Sequence, residues 1–436
     1  MKVSFISLGC AKNLVNTEQM MALCRDAGIT LQDEQSGADV VVINTCGFID
    51  SAKEEAIDTI LAVANLKEEG LVGKILVTGC LSQRYQQQLT EELPEVDGVM
   101  GTGSYSEVVS VVEAVLAGDK PTRRGAISAP LHDTPRAVST GPNWAYLRIA
   151  EGCDNRCAYC VIPSLRGKFR SRTKESILEE ARLLAASGVK ELIIVAQDIT
   201  RYGIDLYGKV CLTELLKELC KLDFRWVRLH YLYPELIDDE LIDEIASEDK
   251  IVKYLDIPIQ HINDAILRRM NRRGTGEEIR ALFQKLRERI PGLVLRTSLI
   301  TGLPGEGEAE FEELCEFLRE AKIERAGVFP YSPEEGTPAA VMPDRCSSEE
   351  AQRRAELCME IQAEIMDGFA ETFIGRELDV LVMGHEPDGT PWGRSQYDSP
   401  DIDSRVIFSG DAAPGDMVRV RITGTYDGEL VGEQIS

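Results

Sequence analysis

Three cysteines in one short stretch, Cys153-Asp-Asn-Arg-Cys157-Ala-Tyr-Cys160, put three thiolates where a single loop can present them. Three thiolates can bind three irons of a cubane cluster and leave the fourth iron without a protein ligand. An open iron of that kind can chelate the amino and carboxylate groups of S-adenosylmethionine and pass an electron into its sulfonium. Zinc is the rival, but a structural zinc site takes four protein ligands. No fourth Cys or His stands nearby, since the histidines are His132, His230, His261 and His385. Thiols that hold nothing are the remaining reading. The spacing favours the cluster.

Three further cysteines each follow a short apolar run, in Leu8-Gly9-Cys10, Asn44-Thr45-Cys46-Gly47 and Thr78-Gly79-Cys80. If those runs are parallel strands, the cysteines fall at one end of the sheet, where open α/β folds place ligands. The adjoining Gly9, Gly47 and Gly79 allow tight turns and a close approach to a bulky group. Isolated cysteines are equally at home as small buried hydrophobes. The residues alone leave both readings open.

The elements that must position these groups are legible in outline. Lys2–Leu8, Asp39–Asn44 and Lys74–Thr78 read as buried strands, with helices over about Asn13–Ala27 and Ala52–Leu66 and after Ser82 and Ser104. Near-continuous apolar strands between helices imply a parallel sheet covered on both faces. The stretch from Asp119 to Asn143, interrupted by Pro121, Pro130, Pro135 and Pro142, reads as a linker. From Trp144 the alternation resumes, with strands at Tyr146–Ile149, Glu191–Ala196, Trp226–Leu229, Tyr254–Pro258, Leu293–Ile300 and Arg325–Phe329. Helices such as Lys174–Ala186 and Ala309–Glu320 lie between them. Six strands in this order suggest a partial βα barrel with its chemistry at the carboxyl ends of the strands. After a helix over Ser348–Phe369, short strands at Arg376–Met383, Ser404–Phe408, Asp416–Thr423 and Leu430–Ile435 suggest a small β-barrel. The expectation is an α/β multidomain chain: a Rossmann-like parallel-sheet domain at 1–120, a linker at 121–143, a core at 144–369 and a barrel at 370–436.

Composition agrees with several domains. The 436 residues are 44% apolar and 28% charged, and carry 73 acidic against 48 basic side chains for a net charge of -25. Such a surface favours a basic partner over nucleic acid. The barrel segment alone has thirteen acidic and five basic side chains, a net -8. No signal peptide opens the chain, and no window approaches the roughly 20 apolar residues of a membrane span. Twelve cysteines in a cytoplasmic chain imply reduced thiols rather than a disulfide framework.

On its two cysteine sets and their surroundings the chain resembles the methylthiotransferases of the radical S-adenosylmethionine superfamily, over essentially its whole length. The resemblance implies an amino-terminal domain whose second cluster is held by Cys10, Cys46 and Cys80. A radical S-adenosylmethionine core holding [4Fe–4S] at Cys153, Cys157 and Cys160 would follow, and then a TRAM-type barrel. One S-adenosylmethionine would supply a methyl group and another the 5′-deoxyadenosyl radical, with a low-potential electron donor and a sulfur source as partners. Gly302-Leu-Pro-Gly305-Glu306 looks like the family's turn beside S-adenosylmethionine, although Gly307-Glu308 departs from the usual Thr-Glu and an ordinary strand-to-helix turn is the alternative. Gln197, Asp198, Gln260 and His261, at strand ends, are candidates to bind cofactor or substrate, and Tyr159 to position adenine. The basic run Arg166, Lys168, Arg170, Arg172 and Lys174 reads as a solvated face or as a contact for cofactor or macromolecule; Arg268, Arg269, Arg272 and Arg273 form a second basic group. Cys24, Cys211, Cys220, Cys315, Cys346 and Cys358 match no pattern and are expected as core or surface thiols.

The family divides between enzymes acting on a transfer-RNA adenosine and one acting on an aspartate of small-subunit ribosomal protein twelve. Ile162-Pro-Ser-Leu165-Arg-Gly-Lys-Phe169-Arg-Ser-Arg172, Asp256-Ile-Pro-Ile-Gln-His261 and Gly393-Arg-Ser-Gln-Tyr-Asp-Ser-Pro400-Asp resemble the second branch. The acidic barrel points the same way, because binding an RNA backbone rests on Lys and Arg. The expected reaction replaces a hydrogen on the aspartate β-carbon by a methylthio group. A non-enzymatic iron–sulfur scaffold or RNA-binding adaptor would share the cysteines but cleave no S-adenosylmethionine. A monomer is expected.

Overall fold

The computed structural model describes residues 1–129, 131, 135–141 and 143–435. Pro130, His132 and Pro142 lie outside the described residues. The chain forms two compact units that interleave along the sequence. One comprises Met1–Ser139, Arg148–Ser176 and Ser332–Ala340; the other comprises Thr140–Leu147, Ile177–Tyr331 and Val341–Ser436.

In the first unit, strands β1 (Lys2–Ser7), β2 (Thr30–Gln32), β3 (Ala38–Thr45), β4 (Val72–Gly79), β5 (Gly98–Gly103) and β6 (Thr122–Gly125) form one sheet. Its order is β2-β1-β3-β4-β5-β6, with every pairing parallel. Successive side chains of β3 and β4 enter opposite cores. Val41, Ile43, Ile75 and Val77 pack with Ala56, Ile60 and Val63 of the helix Asp50–Glu68. Val40, Val42 and Leu76 pack with Met20 and with Val111, Val112 and Val115 on the other side. Two covered faces explain why these strands read as unbroken apolar runs.

Strands β2, β5 and β6 were not expected, and each has a physical reason. β2 is three residues long, β5 carries three glycines, and β6 is the exposed Thr-Arg-Arg-Gly, paired to β5 by its backbone. β6 thus adds a sheet edge within the segment expected as a linker. Further along that segment, the Ala137 N–H donates to the Glu18 carbonyl at 3.0 Å and the Ser139 N–H to the Glu18 carboxylate at 2.7 Å.

In the second unit, β7 (Trp144–Arg148) is the edge of a sheet; β8 (Ala150–Glu151) and β9 (Arg170–Ser171) belong to the first unit and are taken up below. The other strands are β10 (Glu191–Val195), β11 (Trp226–Leu229), β12 (Ile251–Asp256), β13 (Val294–Thr301) and β14 (Arg325–Pro330), in the order β14-β13-β12-β11-β10-β7. The pairs from β10 to β14 are parallel and follow chain order, the open βα arrangement expected. Strands β15 (Glu377–His385), β16 (Pro391–Ser395), β17 (Val406–Ser409), β18 (Met417–Tyr426) and β19 (Glu429–Gln434) close into a barrel around Val380, Val382, Val406, Phe408, Val420 and Ile422. Pro391-Trp-Gly-Arg-Ser lacks strand patterning, which hid β16.

A buried polar network seats the barrel on the sheet. Glu191, fully buried, accepts from Arg228 at 2.6 Å and from Arg394 of the barrel at 2.5 Å. Asp398 accepts from Arg325 at 2.7 Å, and Asp403 from the Tyr254 hydroxyl at 2.6 Å. Burial pushes the Glu191 carboxyl up, but the two guanidiniums outweigh this and hold it below the usual carboxylate range. A depressed folded value means stability that is present above the unfolded pKa of about 4.3 and lost as pH falls through the folded one. Glu191→Gln leaves two buried cations without their anion and is expected to cost about 3–5 kcal/mol. Chemical denaturation at pH 7 measures this. A loss below about 1 kcal/mol would mean that water reaches the pair and the network does not seat the barrel.

Candidate metal centres

Cys10, Cys46 and Cys80 follow β1, β3 and β4, three neighbouring strands of the first sheet. The strand order reverses at β1, which makes this edge the switch point of the fold. Cys10 caps the helix Ala11–Asp26, so its sulfur sits at the positive end of sixteen residues of aligned peptide dipoles. Asn13, one turn in, ties the strand ends together by donating to the carbonyls of Leu8 at 2.9 Å and Thr45 at 3.0 Å. Gly9 has φ +83°, and a Cβ there would stand 2.7 Å from the Cys46 Cβ. Only glycine lets the first and second loops close to this distance.

The three thiols feel one another. Burial raises the Cys46 thiol, and the charges of Cys10 and Cys80 raise it further, to about 12. Cys80 is raised by burial against the opposing charge of Arg166. Cys10 is raised by burial as well, but Lys12 and Arg166 outweigh that and hold it low. Three thiolates set close together repel one another unless cations stand among them, which is what iron supplies to a donor set of this kind. Among the described residues no three Cys, His, Asp or Glu side chains converge as the ligands of one ion do. A cubane makes a different demand, one thiolate on each of three irons around a hollow. Each set supplies the three thiols that this demand requires.

Cys153, Cys157 and Cys160 lie on a loop closed at its base by the antiparallel pair β8–β9, with Ala150 opposite Ser171 and Glu151 opposite Arg170. The Cys153 N–H donates to the Gly167 carbonyl at 3.1 Å and the Cys160 N–H to that of Cys157 at 3.1 Å. The loop runs into the short helix Ile162–Arg166. There the two sets meet: Cys80 packs in one buried cluster with Val161 and Leu165, flanked by Phe48. Arg166, at the end of the helix, donates to the Cys80 sulfur at 3.3 Å. All six cysteines belong to one compact unit.

The basic run after the loop is therefore not a solvated face. Arg166 and Arg172 are buried, Arg172 donates to the Arg148 carbonyl at 2.9 Å, and Arg170 donates to the Lys168 carbonyl at 2.8 Å. Lys168 is exposed and Lys174 half-buried. Sequence reading also missed Glu334, whose buried carboxylate takes Lys53 at 3.0 Å and Arg84. Arg84 in turn donates to the Gly47 carbonyl beside Cys46, and the Ala339 N–H donates to the Ala158 carbonyl inside the loop of Cys153, Cys157 and Cys160. The segment Ser332–Ala340 thus straps both cysteine regions. Its lack of any motif left no sequence signal.

The other candidates fall in two places. Tyr159 is half-buried on the cysteine loop. In the second unit, Gln197 follows β10 and Asp198 caps a turn, its carboxylate accepting from Thr200 N–H at 3.1 Å. Gln260, at φ 71°, bridges to Leu299 through its backbone. His261 and Glu306 face each other at 3.4 Å, with the His261 Nδ1 accepting from the Asn263 N–H. Glu306 also accepts from Gly302 N–H at 2.9 Å and Arg354 at 2.9 Å. Burial pushes its carboxyl up, while His261, Gly302 and Arg354 outweigh that and hold it low. The second basic group disperses, with Arg272 stacked on Tyr233 at 4.2 Å and Arg269 bound to the Pro343 carbonyl. Cys24, Cys211, Cys220, Cys315 and Cys358 are buried and Cys346 is half-buried.

The glycines of the turn at Gly302 are already required by the chain's own packing. A Cβ at Gly302, at φ +76°, would stand 2.4 Å from the Ala351 Cβ of the helix Ser348–Glu371, and one at Gly305 would stand 3.0 Å from the Arg269 guanidinium. Gly302→Ala is expected to destabilise by about 1–3 kcal/mol through this overlap. Urea unfolding reads it; an unchanged midpoint with weakened S-adenosylmethionine binding would give the turn to the cofactor instead.

Comparison with known proteins bears on the chain along its length. Family models match at residues 2–101 (uncharacterized protein family UPF0004), 147–318 (radical SAM superfamily) and 374–435 (TRAM domain). Among solved structures, the radical S-adenosylmethionine methyltransferase TsrM of Kitasatospora setae has a similar fold, with TM-score 0.56 and 16% identity over 78% of this chain and 77% of that one. The chain is 49% identical to the ribosomal protein uS12 methylthiotransferase RimO of Pelotomaculum thermopropionicum, over 100% of this chain and 99% of that protein. It is 48% identical to the protein of the same name from Geobacter sulfurreducens, again over 100% and 99%. With two cysteine triads on one structural unit and this identity along its length, the chain belongs to the RimO family of ribosomal protein uS12 methylthiotransferases.

Proposed function

We propose that this chain is a radical S-adenosylmethionine enzyme that inserts a methylthio group at the β-carbon of an aspartate of ribosomal protein uS12. The observation that carries the reading is the junction at the helix Ile162–Arg166, where Cys80 of one triad packs on the residues that follow Cys160 of the other. Radical formation and sulfur insertion must act on the same carbon, and this junction brings their two candidate centres together. Cys153, Cys157 and Cys160 would hold the cluster that binds S-adenosylmethionine, and Cys10, Cys46 and Cys80 the cluster that presents sulfur. When bound, these groups supply the hydrogen-abstracting radical, the sulfur and the methyl group.

The chain's own contribution is to hold its thiolates in place. The Asn13 bonds and the Glu334 strap fix the loops that carry the thiolates. Cys80 and Cys157 are buried, while Cys10, Cys46, Cys153 and Cys160 are half-buried. The reaction exchanges one substrate hydrogen for a methylthio group, with reducing equivalents from a low-potential donor and sulfur from a separate source. No helix among the described residues is long and apolar enough to cross a membrane. We place the enzyme in the cytoplasm, where a reducing milieu keeps its thiols available for iron.

Removing Cys10, Cys46 and Cys80 together by substitution with alanine should leave about four irons per chain where the unaltered protein takes about eight. Iron analysis after anaerobic reconstitution measures it; eight irons in the variant would refute this ligand set. For substrate choice, reconstituted enzyme, reductant, sulfide and S-adenosylmethionine are offered uS12 in one tube and unmodified transfer RNA in another. Mass spectrometry is expected to find a methylthio group on an aspartate of the protein alone. Modification of the transfer RNA alone would move the chain to the other branch, and 5′-deoxyadenosine in neither tube would favour a scaffold.

A further inference from the structure

We propose that Arg166 raises the reduction potential of the amino-terminal centre, acting from the helix that follows the radical-forming cysteines. The proposal rests on Cys10, Cys46 and Cys80 being cluster ligands, as argued above. The Arg166 side chain is 3% exposed. One terminal nitrogen donates to the Asn16 Oδ1 at 2.7 Å and lies 3.3 Å from a Glu151 carboxylate oxygen. The other donates to the Asn13 Oδ1 and, at 3.3 Å, to the sulfur of Cys80. Glu151 also takes Arg148 at 2.6 Å, so it is shared between two guanidiniums and neutralises only part of the charge that Arg166 brings.

The sign of the effect follows from charge. Three thiolates make a cubane centre a net anion even when oxidised, and one-electron reduction adds a further negative charge. A fixed cation at hydrogen-bond distance from a ligand sulfur stabilises the reduced state more than the oxidised one. An N–H···S bond acts in the same direction, by drawing density from the sulfur. Burial keeps the interaction from being screened by water and salt. Arginine suits the position because a planar fork can serve Asn13, Asn16, Glu151 and Cys80 at once, whereas lysine offers a point charge on a flexible stem.

The test uses the full chain with Cys153, Cys157 and Cys160 changed to alanine, so that only the amino-terminal centre can assemble. Arg166→Met, Arg166→Gln and Arg166→Lys are compared in that background by iron analysis and by redox titration followed with electron paramagnetic resonance. Arg166→Met is expected to lower the reduced-to-oxidised ratio at fixed potential at least tenfold, a midpoint fall of about 59 mV or more for one electron. Arg166→Lys should recover most of that fall, because the charge remains. Should Arg166→Met fail to take up iron, Arg166→Gln carries the same criterion, since it keeps a donor and loses the charge. An unchanged midpoint in the neutral variant overturns the proposal, as does a lysine variant as low as the neutral one. Absence of iron from the Arg166 parent would sink the ligand assignment instead, a failure read in metal content rather than in potential.

Discussion

A guanidinium cannot be buried unless its N–H groups and its charge are met, because desolvating it unaided costs several kcal/mol. Arg166 meets both needs by joining distant parts of the chain, drawing on Asn13 and Asn16 of the first helix, on Cys80 after β4, 86 residues away, and on Glu151 for its charge. The rest of the cysteine architecture is arranged to make that meeting possible. The β8–β9 pair closes the radical loop, and the short helix Ile162–Arg166 carries the arginine inward. The Thr102 hydroxyl at the end of β5 donates to the Leu165 carbonyl at 2.6 Å and seats the same helix from the sheet side. A residue that looks from its neighbours like part of a basic surface is instead an internal fastener.

The barrel shows the same economy of charged groups. The Gly393–Asp401 stretch, whose likeness to one branch of the family suggested a substrate, is placed by the fold against the core sheet. Arg394 reaches Glu191, Asp398 reaches Arg325, and the Ser399 hydroxyl lies 3.0 Å from the His230 ring. These residues hold the barrel in place, so their pattern reports docking before it reports specificity. The acidic balance of the barrel survives the correction. Asp398 and Asp403 are withdrawn from the surface, but so is Arg394, and Arg405 is engaged by Glu386 and Glu429. What remains outside is still strongly acidic, which steers a basic protein toward the barrel and a phosphate backbone away from it.

Strands with two covered faces, such as β3 and β4, were legible because most of their residues are apolar; the strands of the βα core were legible by their apolar runs between helical segments. β5 and β6 were not, since a glycine-rich strand and an exposed one lean on their backbone ladders and leave little mark on side-chain pattern, and β16 was not because the largely buried Pro391-Trp-Gly-Arg-Ser carries no alternation. Cys153, Cys157 and Cys160 stood out by their spacing, whereas Cys10, Cys46 and Cys80 needed the family resemblance beside their place after strands. Their supports did not stand out. Asn13, Arg84, Arg166 and Glu334 act through contacts between segments distant in sequence, and nothing about an Asn three residues after a Cys reveals that it ties two strand ends. The turn at Gly302 shows the converse. A motif visible in the sequence carries glycines that Ala351 and Arg269 already demand, so a pattern shared by a family need not be a pattern of ligand contacts.

The interleaving of the two units bears on how such an enzyme holds together. The sequence changes texture between 121 and 143, and a linear reading places a domain boundary there. Packing places the cysteine loop at Arg148–Ser176 with the amino-terminal sheet instead. A chain divided in that linker would strip Arg166 of Asn13, Asn16 and Cys80 together, leaving a buried cation with Glu151 as its remaining partner among those bonds. The helix Ile162–Arg166 would also lose the apolar cover of Cys80 and Phe48. Neither half could then keep its cysteine loops in their present form. At their cysteines the two sequence regions are one structural object, because each supplies the charge and the packing that the other's thiolates require.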